Sequence, residues 1–209
     1  MVGVPAISPR LQRFLGCLPA VRQELLRHLE PSSCIETGRL VYMLMREWRL
    51  PARLVPVEVR IANAPAMALI RRDQLTPAHH GKDGVYVVTV GEPAPSPPGR
   101  WAGHLAVACE SLLIDPSIDQ ANRPEFGIQF QSPWVQRVPR GFWAQGGLVG
   151  TTDEHGTRVE YLHHFSNRGY LGTPAWRKAP RLLPAARMAL RGAMAGASSR
   201  VQHAPTADA

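Results

Sequence analysis

A cysteine at a predicted helix start is the side chain of this sequence best suited to nucleophilic chemistry. Cys34 follows Ser33 and begins an apolar-periodic segment that runs over residues 34–50. At a helix N-terminus, unpaired backbone N–H groups and the helix dipole stabilise an anion, so a thiol there loses its proton more readily. The same N–H groups can hold a developing oxyanion. The position of Cys34 therefore predicts a reactive thiolate.

The residues around Cys34 favour this placement. Ser33 is a good N-cap, and Glu36 stands three residues further on, which predicts an S-x-x-E capping box. Gly38 lies one turn along the same helix face and has no side chain. We therefore expect Cys34 at the first helical position, with a strand close to the start of its helix.

A thiolate nucleophile needs a base that can also protonate the leaving group, and histidine suits both tasks near neutral pH. His104 lies in an otherwise apolar segment, residues 101–109, which predicts a strand. Strand alternation places His104 on one face with Ala106 and Ala108. Because those side chains are small, we expect this face to leave room for a helix terminus or a substrate.

The base in turn needs a carboxylate to orient it, and the next apolar segment ends in one. Asp115 closes residues 111–115 just before Pro116. If the two segments form a hairpin that turns at 109–111, His104 and Asp115 lie nearly opposite each other, at cross-strand distance. The spacing therefore predicts a site made of a thiol, an imidazole and a carboxylate.

This arrangement resembles the transglutaminase-like (papain-like) superfamily of cysteine acyltransferases and peptidases. That superfamily carries a cysteine at the N-terminus of a buried helix, a histidine on a strand, and an aspartate at the end of the next strand in an Asp-Pro-Thr-like motif. The resemblance covers roughly residues 30–120. The matching segments are Ser33-Cys34-Ile35, Gly103-His104-Leu105-Ala106-Val107 and Asp115-Pro116-Ser117.

The resemblance implies both a fold and an activity. The fold is α+β, with N-terminal helices packed on a mostly antiparallel sheet. The activity is thiol-dependent acyl transfer, or hydrolysis of an amide, peptide or ester bond, through a thioester intermediate. It implies Cys34 as nucleophile, His104 as base and Asp115 as its orienter. The sequence leaves open whether water or an amine accepts the acyl group.

Two features differ from the usual superfamily pattern. Members commonly carry an aromatic residue two positions after the histidine, where this chain has Ala106. An additional oxyanion side chain usually precedes the cysteine, and the candidates for it here are Gln23 and His28. Trp134 and Trp143, in the Pro/Gly-rich region after Asp115, are candidates for the wall of a substrate groove.

The elements that must position the site follow an α+β order, with helices first and an antiparallel sheet second. We predict one domain over residues 1–195 and a disordered tail over 196–209. Residues 91–100 are proline-rich and predict a loop, and residues 120–150 predict long connections. Helices are predicted over 9–29 (one or two), over 34–50 up to Pro51, around 66–72 and within 173–195. Strands are predicted over 52–62, 85–90, 101–109, 111–115 and 158–165.

The composition is that of a globular chain without a disulfide framework. Of the 209 residues, 44% are hydrophobic, and the three cysteines are an odd number without framework spacing. We interpret Cys17 and Cys109 as packing residues. No apolar run is long enough to cross a bilayer, and the first residues do not resemble a secretory signal. We therefore expect a cytoplasmic protein with no membrane partner.

The formal charge of +8 supports a second hypothesis, a catalytically degenerate module of the same fold. From Arg168 to Arg200 there are seven basic residues and no acidic one, so this arginine-rich region could dock an acidic protein or a nucleic acid. Arginine supplies nearly all of the positive charge, as a GC-rich coding sequence would produce. Nucleic acid is therefore possible but not favoured, and the expected partner is a protein, peptide or small amide substrate.

Cofactor motifs are weak. The glycines at 146, 147 and 150 lack the lysine and the strand–loop–helix context of a phosphate-binding loop. The paired histidines at 79–80 and 163–164 lack metal-ligand spacing. We therefore expect no cofactor and no metal.

Overall fold

The computed structural model describes residues 7–30, 32–91, 101–144, 146–164 and 166–201. Its α-helices are α1 (Pro9–Leu25), α2 (Cys34–Glu47), α3 (Ala64–Arg71), α4 (Pro174–Lys178) and α5 (Leu183–Val201). Its strands are β1 (Ala52–Ala62), β2 (Val87–Val90), β3 (His104–Cys109), β4 (Leu112–Asp115), β5 (Trp134–Arg137), β6 (Leu148–Thr152) and β7 (Arg158–His163). The predicted mixture of helices and antiparallel sheet is confirmed. None of the described helices is long and apolar enough to cross a bilayer.

The long strand β1 lies at the centre of a seven-stranded sheet with the order β5-β4-β3-β1-β7-β6. All its pairings are antiparallel. The first half of β1 pairs with β3, and its second half pairs with β2 along the same edge. Strand β7 occupies the other edge, so Val57 stands between His104 and His163. The strand that begins at His104 is therefore held in the interior of the sheet.

The sheet separates two apolar cores. Helices α1, α2 and α5 cover one face, where Leu44 and Phe14 pack with Val107 and Ile114 of the sheet. Residues from the segments that connect the strands cover the other face. That second core consists of Val55, Val57, Val59, Ile61, Ala106, Ala108, Leu113, Ile118, Ala121, Ile128, Phe130, Val138, Phe142, Val159 and Tyr161. Alternation along β1, a β-branched strand, explains how one segment serves both cores.

Helix α2 ends before the position that the sequence predicted. We expected it to run to Pro51, but the last helical residue is Glu47 and Trp48 is the C-cap. Arg49 adopts a left-handed conformation with φ of 54°. A residue in that conformation terminates a helix, so α2 ends three residues earlier than proline alone would require, while β1 still begins at Ala52.

Several other bounds differ from the prediction. Strand β2 begins at Val87 rather than 85, and β5 lies inside the region predicted as connections. A short strand such as β5 forms because the free edge of β4 is available for pairing. Local sequence does not show that this edge is available. Helix α5 runs to Val201 and so includes the first residues of the stretch predicted as a tail. The remainder of that tail, and residues 92–100 of the predicted loop, lie outside the described residues.

Candidate active site

Cys34 is the first residue of α2, and its side chain is 8% exposed. Ser33 is the N-cap, but the predicted capping box is wrong because the Ser33 side chain makes no capping hydrogen bond. Its Oγ instead accepts from Arg22, at 3.3 Å from Nη1, and lies 3.4 Å from Thr37 Oγ1. The N-terminal N–H groups of α2 are therefore not covered by the Ser33 side chain.

Arg22, on α1, ties the start of α2 to the turn that follows β4. Its Nη1 donates to Thr37 Oγ1 at 3.0 Å, and its Nε and Nη2 contact the Asp119 carboxylate at 3.0–3.1 Å. The Arg22 side chain is 5% exposed and that of Asp119 20%. Ser132 donates a further hydrogen bond of 2.7 Å to Asp119 Oδ1. The sequence signal for this role was an arginine within an otherwise apolar helix face.

Helix α2 crosses β3 at a glycine. A Cβ atom on Gly38 would lie 3.0 Å from the carbonyl oxygen of Leu105, so a side chain there would push the helix and the strand apart by a few tenths of an ångström. The expected close packing is therefore present, but the predicted face is wrong. The helix packs on the side of β3 that carries Leu105 and Val107, whereas Ala106 and Ala108 belong to the second core.

Cys34 meets the catalytic candidates at the end of β3 rather than across its face. The Cys34 Sγ lies 4.0 Å from the carbonyl oxygen of Gly103, the residue immediately before β3. Cys34 is close enough to His104 to contribute to the raised pKa of that ring, after burial, which lowers the pKa, and Asp115, which raises it more strongly. The helix start and the strand start therefore bring the thiol to the imidazole.

His104 and Asp115 form a buried pair. The Nε2 of His104 lies 2.8 Å from Asp115 Oδ2, and both side chains are 1% exposed. The predicted hairpin register placed them nearly opposite each other, and the observed register places them on a diagonal. Val107 pairs with Ile114, so the register sets Asp115 beside Ala106, two residues from His104 on the same face. The length of the imidazole side chain bridges this diagonal offset.

The Asp115 carboxylate receives three further hydrogen bonds that the sequence did not indicate. The Tyr161 hydroxyl donates to Oδ2 at 3.1 Å, and Ser117 donates to Oδ1 from its backbone N–H at 3.0 Å and from its hydroxyl at 3.5 Å. Burial, and then the nearby Asp115 charge, raise the pKa of Tyr161 well above its usual value. Tyr161 therefore stays a donor, and the carboxylate is held in one orientation towards His104.

The charge state of His104 reflects two opposing effects. Burial by itself lowers the pKa of the ring. The Asp115 charge and hydrogen bond, together with the contact to Cys34, outweigh burial and raise the pKa of His104 to about 10. A cationic ring beside a thiol is the environment in which cysteine acts as a nucleophile.

Gln120 completes the surroundings of the imidazole and was not singled out from the sequence. It lies on a short 3-10 turn, Ile118–Ala121, that follows β4. Its Nε2 is 2.7 Å from His104 Nδ1. No motif pointed to this glutamine, because its place depends on how the turn folds back over β3.

Cys34 opens into a surface depression of about 910 Å³, here called the Cys34 cleft. Trp101, Gly103, Gln120 and Lys178 also line it. His28, one of the two oxyanion candidates, is among its lining residues, whereas the other candidate, Gln23, is an exposed residue of α1 outside that lining. Neither Trp134 nor Trp143, the predicted groove residues, belongs to the lining of the cleft.

A second depression, of about 630 Å³, contains Trp143 instead and is here called the arginine–aromatic cleft. The Arg53 guanidinium lies 4.0 Å from the centre of the Trp143 ring. No aspartate or glutamate is among the described residues that line this cleft. Its lining consists of Tyr42, Ala52, Arg53, Leu54, Val55, Pro56, Trp143, His163, Arg168, Tyr170, Leu171 and Trp176.

The other two cysteines occupy purely structural positions. Cys17 and Cys109 are buried in the core beneath the helices, and all three thiols are free. Burial raises the pKa of Cys17, and burial together with the nearby Glu110 raises that of Cys109 to about 11. These environments disfavour the thiolate.

The paired histidines have partners of other kinds. His163 contacts the carbonyl oxygen of Ala144 through Nδ1, and His164 contacts Glu58. Within the part of the chain that the structure describes, no three His, Cys, Asp or Glu side chains are grouped as metal ligands would be.

Comparisons with protein-family models, with curated proteins and with solved structures found no match to this chain. The chemistry of the Cys34 cleft therefore follows from the geometry of its own residues.

Proposed function

We propose that this chain is a cysteine acyltransferase or hydrolase with a transglutaminase-like core, acting on an amide, peptide or ester carbonyl. The supporting observation is the buried pair of His104 and Asp115, 2.8 Å apart, beside a thiol at the first residue of α2. A buried ionisable pair in a cleft is costly to maintain without a task, and perturbed pKa values cluster at functional sites.

In the proposed reaction, Cys34 Sγ forms a bond to the substrate carbonyl carbon. The thiol proton moves to His104 Nδ1 unless the pair is already a thiolate and an imidazolium. The carbonyl oxygen becomes an oxyanion, which the backbone N–H groups at the start of α2 stabilise. Asp115 keeps the ring oriented and supports its positive charge throughout.

Collapse of the tetrahedral intermediate then breaks the bond to the leaving amine or alcohol. The leaving group takes the proton from His104 and departs, and an acyl thioester remains on Cys34. A water molecule or an amine, deprotonated by His104, attacks the thioester carbonyl and releases Cys34. The two acceptors distinguish a hydrolase from a transferase, and both reactions use the same three residues.

The direct test uses p-nitrophenyl acetate as an activated ester probe. Wild-type protein should release a burst of p-nitrophenol and carry an acetyl group on Cys34, detectable by mass spectrometry. Cys34→Ala should abolish the burst, whereas Cys109→Ala, which removes another buried thiol, should retain it. An unchanged burst in Cys34→Ala, with the acetyl group on another residue, would contradict the proposal.

The arginine–aromatic cleft supports a second candidate function, the binding of an anionic partner. Arg53 and Arg168 line this cleft without a carboxylate partner among the described residues. The wider arginine-rich region does not form one surface: Lys178 lines the Cys34 cleft, and Arg187 pairs with Glu47. A labelled acidic peptide and a labelled single-stranded oligonucleotide, titrated against wild type and Arg53→Ala, test this function. Binding that is unaffected by the substitution would count against the cleft.

A further inference from the structure

The first part of β1 has one edge that no strand of the described chain covers. Strand β7 pairs with β1 only from Val57 onward, and its last residue, His163, stands opposite Val57. The next residue, His164, donates its backbone N–H to the carbonyl oxygen of Pro56 at 3.0 Å. Within the described residues, no strand therefore lies beside Leu54 on this side of β1.

The backbone of Leu54 directs its hydrogen-bonding groups to this open edge. In an antiparallel sheet, the N–H and C=O groups of residues two apart along a strand point to the same side. The carbonyl of Pro56 points to the β7 side, so the N–H and C=O of Leu54 point there as well. No described residue bonds to them on that side. The edge thus offers one donor and one acceptor at the spacing of a sheet.

The arginine–aromatic cleft is built around the open edge. Residues 52–56 of β1 all belong to its lining. Trp143, which packs against the second core, stands on one side of the strand, and Tyr42 of α2, which packs against the core beneath the helices, stands on the other. An extended chain placed along the edge would therefore lie between two aromatic walls.

The side chains around the edge select the charge of such a chain. Arg53 and Arg168 are exposed in the cleft, where no described aspartate or glutamate faces them. Strand alternation places Arg53 on the Trp143 side and Leu54 on the side of the helices. Opposite charges that face each other across paired strands are stabilising. The matching segment therefore alternates acidic residues, which face Arg53, with apolar ones, which face Tyr42.

We propose that the arginine–aromatic cleft binds an extended acidic peptide segment, which adds as a strand to the open edge of β1 at Leu54. This inference rests on the second candidate function, the binding of an anionic partner, and does not depend on acyl transfer at Cys34. Main-chain hydrogen bonds supply affinity in strand addition, and side-chain contacts supply specificity. A sugar–phosphate backbone lacks the repeating N–H and C=O groups that this edge requires, which favours a peptide over a nucleic acid.

The experiment is isothermal titration calorimetry of the full chain with the peptide acetyl-Val-Glu-Val-Glu-Val-amide. The matched probe is the same peptide with methylated backbone nitrogens at its valines, which keeps both charges and removes the donors that Leu54 needs. It should bind about 3- to 10-fold more weakly, the change expected for the loss of one hydrogen bond. Arg53→Ala should weaken binding of the unmodified peptide about 2- to 5-fold, as for an exposed ion pair.

Arg60→Ala is the control variant, because Arg60 is an exposed arginine of the same strand that pairs with Glu58 outside the cleft. Its affinity for the peptide should match that of wild type. Equal affinities for the two peptides would overturn strand addition and leave the anionic-partner function standing. A thymidine oligonucleotide that binds more tightly than the peptide, and loses affinity in Arg53→Ala, would also overturn it. No binding of any probe would contradict both proposals for this cleft, and the p-nitrophenyl acetate burst tests acyl transfer separately.

Discussion

The two clefts of this protein place similar residue types in opposite electrostatic settings. Beside the Cys34 cleft, which Cys34 and Gln120 line, His104 is buried against the Asp115 carboxylate, and the pKa of its ring is raised. In the arginine–aromatic cleft, burial, together with the neighbouring Arg53 and His164, outweighs the backbone hydrogen bonds to Ala144 and Phe142, so the pKa of His163 is lowered. The first histidine is suited to exchange protons with a thiol, and the second stays neutral in a cationic aromatic surface. The comparison teaches that partners, more than burial, decide what a histidine can do.

The largest expected effect is on the reactivity of Cys34, when His104 and His163 are each replaced by glutamine. His104→Gln should slow the alkylation of Cys34 at about pH 6, and ester turnover, by about 10²- to 10⁴-fold, the usual contribution of a general base. His163→Gln removes a ring of similar burial from the other cleft and should leave both rates unchanged. Alkylation followed by mass spectrometry measures the difference. Equal losses in the two variants would mean that the comparison reflects folding and not chemistry.

The next prediction compares the stability contributions of two arginines: Arg22, which anchors the start of α2, and Arg53 of the arginine–aromatic cleft. Arg22→Met leaves the partly buried Asp119 without its cationic partner and should lower the free energy of unfolding by about 3–5 kcal/mol. Arg53→Met removes an exposed cation–π contact with Trp143, which contributes about 0.5–1 kcal/mol. Urea unfolding monitored by circular dichroism gives both values. Losses of the same size would show that Arg22 does not anchor the start of α2 as its contacts suggest.

A third prediction uses the opposite pKa shifts of the two histidines. Because the folded-state pKa of His104 is raised from 6.5 to about 10, the native state binds the extra proton between these values. Its contribution to stability is complete below pH 6.5 and is lost as the pH rises through this window. His163 has a lowered pKa, so its contribution is present above pH 6.5 and is lost as the pH falls.

Urea unfolding between about pH 5 and pH 8 measures both slopes, below the range in which the cysteine thiols and Tyr161 titrate in the unfolded chain. His104→Gln should remove the decline above pH 6.5, and His163→Gln should remove the decline below it. Each variant is the control for the other. If the His104→Gln curve keeps the wild-type decline above neutral pH, the charged His104–Asp115 pair is not the native state.

The smallest effect concerns salt. The His104–Asp115 pair is shielded from solvent, so raising the ionic strength from about 50 to 200 mM should barely change the rate of Cys34 alkylation. Binding of an anionic partner at Arg53 and Arg168 should weaken clearly over the same range. Parallel titrations at the two salt concentrations test this. A strongly salt-dependent alkylation rate would place the important charges of the Cys34 cleft at the surface.

Much of the candidate site could be predicted because its signals are local. The first helical position of Cys34 was predicted from Ser33 as N-cap and from the apolar period that follows, and Ser33 is the N-cap although its side chain makes no capping hydrogen bond. Strand β1 has the predicted bounds, and the turn of the β3–β4 hairpin is where the polar pair Glu110–Ser111 indicated it. Helix starts and tight turns depend on a few neighbouring residues, which explains this agreement.

Other parts of the site depended on contacts between distant residues. The partners of Asp115 come from β7 and from the turn after β4, and Gln120 reaches His104 only because that turn folds back. The sequence from Ser33 to Glu36 fits a capping box, but the buried Arg22 of α1 donates to Ser33 Oγ, the oxygen that the capping box would use. A side-chain oxygen such as Ser33 Oγ can accept from a distant donor instead of from the nearby backbone, and local sequence does not show which distant donor lies next to it.

The sequence by itself determined that Cys34 begins α2, and that Gly38 would let a strand approach this helix, because helix caps and periods are properties of the local chain. Only the tertiary structure decided that α2 packs on the Leu105 side of the strand and that Gln120 stands at the imidazole. It also decided that Trp101, not Trp143, lines the Cys34 cleft. The physical reason is that side-chain alternation offers two faces to every strand, and the packing of the whole core chooses between them.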